Sequence, residues 1–275
     1  MDLSKVRLVV SDMDGTLLNS KGQVSDTFIT LFKELKEENI QFIAASGRQY
    51  YSIIDKLKEI HADIIVIAEN GGFAKRNDEE LVTVSLPLDK TREMINLMRQ
   101  VEDAHIVLCG KKQAYVDSDN EKFLNIFNEY YHKYQIVDDI TKIDNDEFFK
   151  IAVYSFGGSE QTTYPVVSHL ENEVKVKVSG ENWLDISSMK ADKGNALKHI
   201  QEMLGIHPDE TMVFGDYNND IEMLELAHFS YAMANAHPNV TEAANYITKS
   251  NNDLGVEIVL NQLIEAKRQT KSQKQ

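Results

Sequence analysis

The 275-residue sequence is short of cysteine, proline, positive charge and long apolar runs. A single cysteine, Cys109, excludes an intramolecular disulfide and any CxxC metal or redox motif. No apolar run approaches the roughly 18 residues of a membrane span, and the opening MDLSKVRLVVSDMDG has no signal-peptide pattern. A cytoplasmic protein with no membrane partner is therefore expected. Lys and Arg number 29 against 44 Asp and Glu, a formal charge of −15, which argues against a nucleic-acid partner because such binding needs cations to neutralise phosphates. That deficit leaves a small anionic substrate open, since a site acts through its local field. Internal repeats and low-complexity segments are lacking too.

What is present is an ordinary globular composition, 42% hydrophobic and 27% charged, in a chain long enough for two domains. Residues 6–10 form an apolar, β-branched strand. Phe28, Leu31, Phe32 and Leu35 follow at helical spacing behind a Ser25 or Asp26 cap. NIQFIAAS and DIIVIAEN read as further buried strands, with a helix over 49–60 between them. This alternation predicts right-handed βαβ units and a parallel sheet. GFAKRNDEELVTVSL reads as a hairpin with its tip at 77–80, and Pro87 as a linker. Over 88–186 the order becomes helix, two strands, helix, strands, helix, strands. HIVLCGKKQAYVD and VKVKVSGENWLDIS there look like antiparallel pairs. After Met189 the strand–helix rhythm returns, with NDIEMLELA read as a helix and AKRQTKSQKQ as a frayed, solvated tail. The expected fold is α/β: a Rossmann-like, doubly wound parallel-sheet core (1–85 and 187–275) with an inserted α+β cap over 86–186.

Four stretches carry chemistry, each at the end of a core strand or the start of a helix, where open parallel sheets bind ligands. In LVVSDMDGTLLNS an apolar strand runs straight into Asp12 and Asp14, which an extended backbone points to one side. In AASGRQY, Ser46 and Gly47 offer a hydroxyl and an amide to an anion, although a serine there is by itself more commonly a helix cap. Lys193 opens a helix in MKADKGNAL, where the macrodipole disfavours it unless an anion or carboxylates lie near; alone it reads as a surface lysine. In VFGDYNNDIEML, Asp216 ends a second buried strand, with Asn219 and Asp220 close behind, the latter a fair helix cap. Were Asp12, Asp14 and Asp216 to converge, each pair at about 4 Å would repel by about 4 kcal/mol at an effective dielectric of about 20. A hard divalent cation with oxygen ligands relieves that, and Mg²⁺ suits a site that also receives phosphate.

DMDGTLL, ASGR, DKGNAL and GDYNNDIEML, in this order, resemble the four motifs of the haloacid dehalogenase superfamily. The long insertion between the second and third resembles the Cof-type branch, as do AENGG and YAMANAHPNVTEAANYIT; Ala234 departs from the glycine that relatives often carry. The resemblance implies a phosphatase of small phosphorylated metabolites, with sugar phosphates foremost. Asp12 would be the nucleophile and Asp14 the general acid and then base. Asp12, the backbone carbonyl of Asp14, and Asp216 would hold Mg²⁺. Ser46, Gly47, Lys193 and Asn219 would hold the phosphate, and Asp220 would sit behind the metal or bond a water on it. A phosphohexomutase uses the same two aspartates, and a non-catalytic ligand sensor could use the same fold. Asp14 argues against a dehalogenase, which needs no acid there. Specificity is expected in the cap, where Trp183, Tyr154 and Tyr115 read first as core residues. A monomer or weak homo-oligomer is expected.

Overall fold

The computed structural model describes residues 2–274. In chain order the elements are β1 (Leu8–Asp12), α1 (Asp26–Glu37), β2 (Gln41–Ala45), α2 (Tyr50–Lys56), β3 (Ile65–Ala68), β4 (Phe73–Arg76) and β5 (Glu79–Thr83). Next come α3 (Leu88–Met98), β6 (Ala104–Gly110), β7 (Ala114–Val116), α4 (Glu121–Phe127), β8 (Tyr134–Ile136), β9 (Phe148–Ser155), α5 (Ser159–Thr162), α6 (Tyr164–Val167), β10 (Lys175–Val178) and β11 (Trp183–Ser187). The chain ends with α7 (Lys193–Leu204), β12 (Thr211–Gly215), α8 (Ile221–Leu224), β13 (Phe229–Ala232), α9 (Pro238–Ala243), β14 (Tyr246–Ile247) and α10 (Gly255–Lys274).

The strands form two sheets. The larger runs β14-β13-β12-β1-β2-β3-β4-β5, parallel from β14 to β3, with the β4–β5 hairpin antiparallel at one edge. Alternate side chains of its central strands enter opposite cores, as a period of two requires. Val9, Phe42, Val66 and Phe214 pack with α1, α2 and α10, while Leu8, Val10, Ile43 and Val213 pack with α7, α8 and α9. The sheet is thus doubly wound. Its strand order reverses between β1 and β12, which opens a crevice at their C-terminal ends.

The smaller sheet runs β10-β11-β9-β6-β7-β8 and is antiparallel except at β7–β8. One face packs α3 and α6, and the other packs α4 through Phe123 and Phe127. That second face looks toward the crevice of the larger sheet. The molecule is therefore a Rossmann-like core with a cap.

Some elements depart from the sequence reading. Ser25 does cap α1, its Oγ accepting from the Phe28 amide at 3.0 Å. The second helix, expected over 49–60, stops at Lys56, and the chain turns so that Leu57 and Ile60 enter the core. NDIEMLELA is a 3-10 turn followed by only four α-helical residues. The basic tail is not frayed: α10 continues to Lys274, and Arg268 and Lys271 pair with Glu34 and Glu38 of α1 and its C-cap. Gln275 lies outside the described residues.

Candidate active site

Asp12 is the last residue of β1 and almost wholly buried. The chain then bends sharply at Gly15, whose φ of +78° lies in the left-handed region. A Cβ there would stand 2.2 Å from Asp216 Oδ2, so only glycine lets this loop pass over the residue following β12. Thr16 Oγ1 donates to Asp216 Oδ1 at 3.0 Å. Asp220, fully buried, uses Oδ2 to accept from the amides of Asp216 and Tyr217 at 3.0 and 3.1 Å. It stands at the N-cap position of α8 but makes no capping bond to that helix; this oxygen reaches back to the turn before it, and the other does something else.

That other oxygen meets Lys193. The lysine opens α7 with no exposed surface, and its Nζ donates to Asp220 Oδ1 at 2.6 Å and to Asp12 Oδ1 at 2.5 Å. It is not a surface lysine. Its two carboxylates answer the helix-dipole objection raised by its position. They also outweigh burial and hold the ammonium's pKa above the ordinary lysine value.

The carboxylates that converge are Asp12, Asp216 and Asp220, with oxygens within 4.8 Å of one another. The expected trio of Asp12, Asp14 and Asp216 does not form through side chains. Asp14 turns outward, its carboxylate about half exposed and gripped by Arg48 through Nε at 2.6 Å and Nη2 at 2.7 Å. One ammonium cannot balance three clustered carboxylates, of which Asp12 and Asp220 are buried and Asp216 is half-buried. Burial, followed by the charge of Asp220, drives Asp12 well above the usual carboxylate range, against the pull of Lys193. The same two causes push Asp216 up to about 7.

Ser46 and Gly47 follow β2. Ser46 is buried, and its Oγ accepts from the Arg48 amide at 3.1 Å; the cap of α2 is Gln49, so the helix-cap reading of Ser46 fails. Asn219 Nδ2 donates to Asn70 Oδ1 at 2.9 Å. Asp12, Asp14, Ser46, Gly47, Asp216 and Asn219 share one cavity of about 570 Å³. Lys193 does not line it; it lies behind Asp12.

The other wall of that cavity belongs to the cap, with Tyr130, Tyr131, Tyr154 and Trp183 among its lining residues. Tyr154 and Trp183 thus belong both to the cap core and to the cavity, whereas Tyr115 packs on the opposite face, its hydroxyl donating to Asp146. Arg48 joins the two walls: its guanidinium stacks 4.8 Å from the centre of the Tyr130 ring and donates to the Glu129 carbonyl at 3.1 Å. The sequence reading missed Arg48, Asn70, Lys150 and Asp185 as site residues. A signal existed for two of them, because Lys150 in FFKIAVYS and Asp185 in WLDIS are single charges within apolar strands.

A family model described as haloacid dehalogenase-like hydrolase matches residues 9–260. The chain belongs to that family. Its branch is the Cof-type, and it is a phosphatase of the family. It is 31% identical over 262 residues to the 5-amino-6-(5-phospho-D-ribitylamino)uracil phosphatase of Escherichia coli K12, covering 94% of this chain and 96% of the relative. A putative phosphatase of Bacillus subtilis 168 is 28% identical over 95% of this chain and 99% of its own. A crystal structure of a Streptococcus mutans UA159 protein superposes with a TM-score of 0.87 at 29% identity, covering 94% and 99% of the two chains.

Proposed function

We propose that this phosphatase is Mg²⁺-dependent, cytoplasmic, and hydrolyses small phosphorylated metabolites through a covalent phosphate on Asp12. The observation that carries the reading is the cluster of Asp12, Asp216 and Asp220, the first and last of them buried, beside one buried lysine at the end of a cavity of metabolite size. Its donor set is all carboxylate oxygen and its charge is short of cation, which fits a hard divalent ion. Asp12 and Asp216 would hold it, with the Asp14 carbonyl, and Asp220 would steady it from behind. When bound, Mg²⁺ would offset charge on the phosphoryl oxygens.

In this reading an Asp12 carboxylate oxygen forms a bond to phosphorus as the ester P–O bond breaks. The leaving oxygen takes a proton from Asp14. A water then attacks the acyl phosphate, giving its proton to Asp14, and the phosphorus–Asp12 bond breaks to release inorganic phosphate. Lys193 aims Asp12 and favours its charged form, and Ser46, the Gly47 amide and Asn219 grip phosphate oxygens. Asp14 begins as a carboxylate paired with Arg48; the incoming phosphate dianion competes for that guanidinium, and Asp14, once released, takes a proton from solvent and becomes the acid. The aromatic wall of Tyr130, Tyr154 and Trp183 suits a sugar face or a planar ring. The named substrate of the Escherichia coli relative, a phosphorylated ribityl chain on a uracil, has both a polyol and a ring.

Purified protein should release p-nitrophenol from p-nitrophenyl phosphate with Mg²⁺, poorly with Ca²⁺, and not in excess EDTA. Full activity with negligible metal content would sink the metal assignment. A panel of phosphorylated metabolites then ranks substrates.

A further inference from the structure

Strand β9 is buried along its whole length, yet its third residue is Lys150. A lysine at such a place is costly, and a buried ion pair is weak ground for a stability role, since apolar residues of similar volume commonly serve a fold as well. Its ammonium faces three oxygens, two through hydrogen bonds and one as an ion pair. Nζ donates to the Gly47 carbonyl at 2.7 Å and to Asp185 Oδ2 at 3.2 Å, and stands 3.3 Å from Glu69 Oε2. Lys150 borders the cavity, but its ammonium is turned to these protein oxygens, as a strut between cap and core would be.

Two of those three oxygens belong to the core, and both lie on loops that border the cavity. The loops are tied together, since the Asn70 amide donates to the Ser46 carbonyl and the Glu69 amide to the Arg48 carbonyl, each at 3.1 Å. The second loop is strained: Glu69, Asn70 and Gly71 have φ of +52°, +51° and +89° in succession. Non-glycine residues hold such a conformation only where their surroundings over-determine it. Here Lys150 holds Glu69, and the Asn70 side chain spans from Asp185 Oδ2 (2.8 Å) to Asn219 (2.9 Å). At Gly71 a Cβ would stand 2.1 Å from the carbonyl of Asp192, the cap of the helix that Lys193 opens.

We infer that Lys150, carried by the cap, is a positioning residue that assembles the phosphate grip, clamping the 46–48 loop and the 69–71 turn so that Ser46, Gly47 and Asn219 converge only when β9 is docked on the core. The inference rests on the phosphatase reading for its purpose, though not for its geometry. Asp185 is the partner of the clamp: it orients Lys150 and passes the constraint through Asn70 to Asn219.

Affinity for inorganic phosphate, measured by calorimetry with Mg²⁺ present, reads the grip without needing turnover. Lys150→Met should weaken phosphate on the order of tenfold to a hundredfold, the scale of a lost charge-assisted bond. In turnover of p-nitrophenyl phosphate, KM should rise by a similar factor while kcat changes less. Lys150→Arg, which keeps the charge, should recover part of the loss. A purely structural role would lower the melting temperature and leave the folded fraction with wild-type phosphate affinity, which overturns the clamp. Should Lys150→Met fail to fold, Asp185→Asn decides: it should weaken phosphate in the same direction by a smaller factor, and unchanged affinity overturns the inference. A wild type that binds phosphate but turns over no ester overturns the phosphatase reading instead, and the variants' phosphate affinities still judge the clamp.

Discussion

At the scale of single residues, the chemistry follows from where charge is buried. Asp216 has its oxygens between Thr16 and the neighbouring carboxylates of Asp12 and Asp220. Asp216→Asn should therefore raise the Mg²⁺ concentration needed for half-maximal activity by tenfold or more, about 1.4 kcal/mol per decade, while the melting temperature of the metal-free protein holds or rises. An unchanged metal dependence would move that ligand elsewhere. Gly15→Ala forces an L side chain into the left-handed region and against Asp216; it should cost about 1–3 kcal/mol in denaturant unfolding, and an unfolding midpoint equal to wild type would contradict the geometry. That Asp12 and Asp216 would meet was legible because a carboxylate at or just beyond the end of an apolar strand needs a charge partner; the place of Asp220 beside them was not, because its position alone suggested a helix cap. The outward turn of Asp14 was not, because Arg48, its partner, lies 34 residues away on another loop. Nor was the complete burial of Lys193, which depends on Asp12 lying 181 residues away.

At the scale of elements, the turn after β3 supplies a pH dependence. Glu69 is buried against Lys150 and Asp185, with Cys109 and Tyr131 near, and burial pushes its carboxyl up to about 7 despite Lys150. The unfolded chain gives up this proton near 4.5 while the folded chain keeps it to about 7. Folding thus takes up a proton inside that window, and Glu69 lowers stability as pH rises through it. Melting curves of wild type and Glu69→Gln should show the variant gaining on wild type between pH 5 and 8; a constant difference would mean that Glu69 is ionised throughout. The strands themselves were easy to read, because alternation and β-branching mark them. α2 and α8 were overestimated because apolar residues after each continue the helical spacing while turning into the core. The tail read as frayed from its polar composition, yet α10 packs on α1 through Val259, Leu263 and Ile264 before its basic end.

At the scale of the whole molecule, the site exists because two sheets face each other across one cavity. The strand–helix rhythm, its interruption and its return were legible along the chain, and with them the core and cap. The shared cavity was not, since nothing in a local pattern says which face of the cap sheet meets the core. Tyr154 and Trp183 illustrate this, being cap-core residues by pattern and cavity walls by placement. Trp183→Ala should raise KM for the best ring- or sugar-bearing metabolite by about tenfold, the scale of one lost stacking contact, and leave acetyl phosphate unaffected; equal losses on both would remove Trp183 from substrate recognition. In the proposed reaction both walls serve one event, the transfer of a phosphoryl group to Asp12. Asp14→Asn removes the proton carrier, so with an activated ester the first step should survive better than the second, turnover should fall about 10²–10⁴-fold, and the acyl phosphate should accumulate. Rapid quench of that variant with labelled p-nitrophenyl phosphate should find phosphate on the peptide holding Asp12, and none on Asp12→Asn; label on Asp12→Asn, or full activity in Asp14→Asn, would contradict the assignment.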